Sequence, residues 1–70
     1  MIDVLTMTKV RENRFVTEAS DLRLSPGFFP DQIETKQGTF NVVSYGEDTG
    51  DLLSVTYKNA AGMTLVVLND

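Results

Sequence analysis

Residues 52–68 read LLSVTYKNAAGMTLVVL, and the reading of this stretch decides the fold. Leu53, Val55 and Tyr57 alternate with Leu52, Ser54 and Thr56. A period of two places successive side chains on opposite sides of an extended chain. The segment is rich in β-branched and aromatic residues, which adds to the strand preference. Asn59 to Gly62 then fits a hairpin connection in which Gly62 supplies a positive φ. Beyond it, Met63 to Leu68 is apolar on both faces, with Thr64, Val66 and Leu68 opposed to Met63, Leu65 and Val67. A strand of that kind belongs at the centre of a sheet or under cover on both sides. The longer stretch Tyr57 to Asp70, YKNAAGMTLVVLND, has the look of a closing hairpin in many small β proteins, which speaks to fold and not to function.

Working outward, every other segment but one also repeats at two. Ile2 to Val10 reads as a first strand, although Leu5 and Met7 blur its polar face. Arg14 to Ala19 reads as the second, across Arg11, Glu12 and Asn13, where Asn13 is suited to a left-handed turn. Ile33 to Thr35 is extended, Lys36 to Gly38 a turn, and Thr39 to Tyr45 a strand with Phe40, Val42 and Ser44 on one side. GEDTGD at 46–51 reads as a loop. The exception to the period is residues 18–34, where Ser20 or Asp21 could cap one short helical turn through Leu24, near 20–25. Pro26 holds the residue before it extended and stops any helix, and Gly27 permits a sharp turn.

The expectation is an all-β chain: a small antiparallel meander of five to six short strands, curved strongly into an open sheet or a partly open barrel. Residues 1–70 form a single domain, without repeats, linkers or low-complexity segments. At this length the core is barely large enough to hold a fold, so every large apolar residue has a claim on it.

Composition then narrows the function. The chain has no cysteine and no histidine, which excludes disulfides, thiolate nucleophiles, structural zinc and imidazole chemistry. The absence of disulfides leans toward a reducing, cytoplasmic setting. The amino-terminal stretch has no apolar run of signal-peptide or membrane-spanning length, so a soluble protein is expected. Small size, acidity and lack of cysteine fit a bacterial or phage product. Net charge is −4, from 10 acidic and 6 basic residues, and the acidic excess is spread evenly between the two halves of the sequence.

Three features compete for a functional role. Glu47, Asp48 and Asp51 offer oxygen ligands for a hard cation, but their spacing departs from calcium-loop patterns and a solvated hairpin loop explains them as well. Lys9, Arg11 and Arg14 surround one turn beside Phe15, the ingredients of a single-stranded nucleic-acid-binding barrel, with Tyr45 and Tyr57 as further stacking candidates. Glu12 and Glu18 dilute that patch. No catalytic motif is present, and no enzyme activity, cofactor, metal or small-molecule substrate is expected. The third is SPGFFP at 25–30, which sets Phe28 beside Phe29. Neighbouring side chains of an extended chain diverge, so one ring should enter the core while the other covers its end or stands exposed as a contact for a protein partner.

The leading expectation is a small non-catalytic protein-binding module, an adaptor, an inhibitor or a homo-oligomer subunit, with Phe28, Phe29 and Leu24 as contact residues. The alternatives are nucleic-acid binding through Lys9, Arg11, Arg14 and Phe15, and an acidic imitation of nucleic acid, for which the net charge is modest.

Overall fold

A computed structural model describes residues 1–25 and 27–70. It is all-β, with six strands: β1 (Thr8–Arg11), β2 (Arg14–Glu18), β3 (Gln32–Thr35), β4 (Gly38–Asp48), β5 (Asp51–Lys58) and β6 (Thr64–Leu68). They form one sheet in the order β1-β2-β6-β5-β4-β3, curled into a half-barrel. The only helical elements among the described residues are two 3-10 turns, Val4–Thr6 and Ala19–Leu22. No described helix is long and apolar enough to cross a membrane.

From β3 to β6 the sheet is the expected antiparallel meander, and β1 with β2 is a hairpin. The two pieces join through one parallel pairing, β2 along β6, which makes the sheet mixed. The doubly apolar β6 is therefore central, flanked by β2 and β5. Residues opposite one another across a sheet share a face, so the register orders the side chains into rows. Phe15, Leu65, Tyr57 and Val42 make one inward row, and Thr17, Val67, Val55 and Tyr45 the next. Ile33, Phe40, Val4 and Ala19 complete the core with members of these rows. Tyr57 and Phe40 are fully buried, each worth about 1.5–3 kcal/mol, a large share of the margin of so small a domain.

The amino-terminal segment departs from the expected strand over Ile2–Val10. Ile2 makes a parallel bridge to Thr35 at one edge of the sheet, and the chain then crosses to begin β1 at the other. The crossing is a 3-10 turn because the Asp3 carboxylate accepts from the Leu5 amide at 3.1 Å and ends the extended run. Val4 is carried into the open side of the half-barrel and is fully buried. Gln37 pins it there, its Oε1 accepting from the Val4 amide at 2.8 Å and its Nε2 donating to Asp3 at 2.9 Å. Leu5 and Met7, the residues that blurred the alternation, lie in and just after the turn.

Three smaller expectations change. GEDTGD is not a loop: Gly46–Asp48 end β4, Asp51 opens β5, and only Thr49 and Gly50 turn. The turn near 20–25 is present as Ala19–Leu22, but neither Ser20 nor Asp21 caps it. Glu18 holds the cap position without a side-chain bond, and Arg23 ends the turn in a left-handed conformation. The role assigned to Pro26 lies outside the described residues. Asn13 and Gly62 take the positive φ expected of them.

Candidate functional site

The loop from Arg23 to Asp31 runs past the end of the sheet where β6 finishes, and it is fixed on both sides of the phenylalanine pair. The Gly27 amide donates to Asn69 Oδ1 at 3.3 Å, and Asn69 Nδ2 donates to the Leu52 carbonyl at 2.8 Å, tying the loop to β5. On the other side the Tyr57 hydroxyl donates to the Pro30 carbonyl at 2.8 Å. Burial pushes that hydroxyl up to about 12, and the charges of Tyr45 and Asp31 add to the effect. The phenolic proton is thus held well past neutral pH, which keeps the anchoring bond intact.

Between these anchors the two rings separate as strand geometry requires. Phe29 is half-buried against the core, whereas Phe28 is 78% exposed. Leu24 packs partly on the core and, with Phe28 and Phe29, lines an open cleft of about 510 Å³ edged by Arg23 and Asp31. All three contact residues read from the sequence are brought together here. Two other exposed apolar residues toward the same end of the sheet lie outside that set of contacts. Tyr45 follows the inward register yet is 51% exposed, and Leu53 is exposed at the register shift between Ser54 and Leu52, where it has no partner on β4. The only sequence signal for them is that apolar side chains continue toward the end of each strand.

A larger cleft, of about 760 Å³, lies between the amino-terminal crossing, β2 and the second 3-10 turn. Met7, Val16, Leu22 and Leu68 give it an apolar lining, and Glu18 and Asp21 an acidic one. The negative charge of Asp70 close by raises the Glu18 carboxyl above its ordinary value, and the charge of Asp21 adds to it. Anionic groups are therefore crowded at this end.

The crowding is general. Glu18, Asp21, Glu47, Asp48, Asp51 and Asp70 all lie at or beyond the end of the sheet marked by Leu68, and Arg23 follows the 3-10 turn there. Toward the other end stand Lys9, Arg11, Arg14, Lys36 and Lys58, with Glu12 and Glu34 among them. Arg14, Thr64, Lys58, Asn41 and Gln32 form a single row across the outer face there. A charge distribution that is even along the sequence is polarised in space, because the chain reverses at each turn and returns acidic termini of different strands to one end.

The other candidates divide. Lys9, Arg11 and Arg14 remain together on the first hairpin, where Lys9 pairs with Glu12 at 3.3 Å. Phe15 is 5% exposed and belongs to the core, so it is removed from the set that could stack on a base. Tyr57 is removed for the same reason. Glu47, Asp48 and Asp51 flank a two-residue turn, and among the described residues no cluster of three or more potential ligands is close enough to hold a metal ion. Comparison with known proteins returns no matching family, curated protein or solved structure.

Proposed function

We propose that this chain is a small protein-binding module that acts without catalysis, and that its binding end is the acidic one carrying Phe28. The observation that carries the reading is the exposed Phe28 ring on a loop anchored on both sides. An aromatic residue on anchored backbone costs little backbone ordering on binding, and exposed aromatic residues of this kind are frequent energetic centres of protein interfaces. Tyr45, Leu53 and Leu68 extend the apolar surface at the same end, and the carboxylates around them favour a partner that is apolar and cationic together.

The test uses immobilised wild-type protein and its Phe28→Ser variant against lysate of the native host, with the mass of each in solution taken by light scattering. The wild type should retain a defined protein, or associate with itself, while the folded variant does neither. Equal retention by the variant, or a monomeric wild type that retains nothing, contradicts the reading.

A second reading is favoured by the row of Arg14 and Lys58 beside Arg11 and Lys9, a cationic end suited to a phosphate backbone. With Phe15 and Tyr57 in the core and the exposed Tyr45 toward the acidic end, it lacks a base-stacking partner beside the cations. A titration with short oligonucleotides decides it, since phosphate contacts require affinity that falls as salt rises.

A further inference from the structure

Strand β4 is longer than its partner on the outer side. β3 pairs with Gly38–Asn41 only, and the last contact from that side is the Val42 amide donating to the Asp31 carbonyl at 2.9 Å. Residues 43–48, VSYGED, have β5 on one side, and among the described residues no backbone bond on the other. In an antiparallel pair every second residue turns its N–H and C=O away from its partner, so this stretch presents unused donors and acceptors along an edge.

Natural sheets guard such edges, and this molecule guards its others. β1 is four residues long, carries Lys9 and Arg11, and is broken by a register shift between them. β3 is also four residues long and is closed at its end by the bridge from Ile2. The stretch 43–48 has no proline and no lysine; its pairing with β5 shifts register between Val42 and Ser44 and between Gly46 and Glu47, bends that an incoming strand has to follow. Val43 and Tyr45 stand 55% and 51% exposed on it, and Gly46 leaves its middle without a side chain.

We propose that residues 43–48 of β4 are a strand-addition site, at which an extended cationic segment of a partner protein joins the sheet as a seventh strand. The inference rests on the protein-binding reading and gives it a mode and a ligand chemistry. Main-chain bonds along the edge supply affinity, and alternate side chains of the incoming strand supply selectivity. Charge selects the occupant. Asp48 and, directly across from it, Asp51 share one face, so a strand carrying lysine or arginine at alternate positions can set its cations on that face, while Glu47 adds negative charge from the other. A second copy of this chain would instead bring its own crowded acidic end to the same place, and like charges facing one another oppose pairing.

The probe is a blocked hexapeptide of alternating lysine and valine. One control has glutamate in place of lysine, and another has proline in place of the central valine. Binding is measured by calorimetry at low and moderate salt, and its location by amide hydrogen exchange. The lysine peptide is expected to bind, to weaken with salt, and to slow exchange within 43–48. The proline peptide should bind at least tenfold more weakly, the glutamate peptide not measurably. The variant Glu47→Lys with Asp48→Lys should lose at least tenfold.

The proposal is overturned if the lysine peptide fails to bind at low salt, if the proline peptide binds equally well, or if protection falls on another part of the chain. It is also overturned if the free protein is a dimer protected at 43–48, because the occupant is then a second copy. The broader reading is judged apart from this, by retention of a partner through Phe28. A partner lost on Phe28→Ser, together with an unprotected β4, would leave the module standing and remove the strand-addition site alone.

Discussion

Phe28 and Phe29 are adjacent in sequence and opposite in consequence. Replacing half-buried Phe29 by alanine should destabilise the fold by about 2 kcal/mol, below the full cost of emptying a closed core site, while Phe28→Ser should stay within about 0.5 kcal/mol. Urea unfolding of the two variants checks both values, and a larger loss from Phe28 would mean that its ring is structural. Thr49 is a second residue with a local conflict. It and Gly50 have φ of 49° and 83°, a two-residue turn that suits Asn-Gly and places a β-branched side chain in left-handed backbone. Thr49→Asn should therefore raise stability by about 1 kcal/mol, read from the same unfolding curves. At Glu18, folding raises the carboxyl above 4.5, so the folded chain keeps that proton to higher pH than the unfolded chain does. The resulting cost is absent below 4.5 and grows as pH rises through the raised value, so this group erodes stability upward in pH. Melting temperatures of wild type and Glu18→Gln, followed upward from pH 4.5, should diverge in favour of the variant; curves that stay parallel would show that the carboxylates do not interact.

At the scale of elements, the amino-terminal crossing is what turns a curled sheet into an enclosed core. Val4→Ala removes two buried carbons from the open side and should cost about 2 kcal/mol, with faster amide exchange at Thr35 and Lys36, where the crossing meets β3. Unchanged exchange there would mean that the crossing does not hold the edge. How much of each element was legible follows from how local its cause is. The β5–β6 hairpin was readable because alternation, Gly62 and a doubly apolar strand agree within 17 residues. The first strand was misread because a single carboxylate, Asp3, interrupts an alternation that otherwise continues. β4 was read as ending early because Gly46, Glu47 and Asp48 have loop composition, whereas pairing with Ser54, Leu52 and Asp51 keeps them extended. The parallel pairing of β2 with β6 joins residues 50 positions apart, such as Arg14 and Thr64, and no local pattern records it.

For the whole molecule, the same distant pairings decide where charge and exposed apolar surface fall. Phe28, Phe29 and Leu24 could be proposed from sequence because loop geometry alone separates the rings. The place of Tyr45 beside the acidic end, the open half of β4 and the acidic end itself could not, since each depends on which strands lie side by side. That acidic end, with Phe28 and the unpaired edge of β4, is the central claim, and reversing charge at the two ends in turn tests it most directly. Glu47→Lys with Asp48→Lys on one protein and Arg11→Glu with Arg14→Glu on another leave the core untouched, so both should remain folded. With the partner retained by the wild type, the dissociation constant should rise at least tenfold for the acidic-end variant and change less than threefold for the basic-end variant. The opposite ranking, or equal loss from both, would contradict the account.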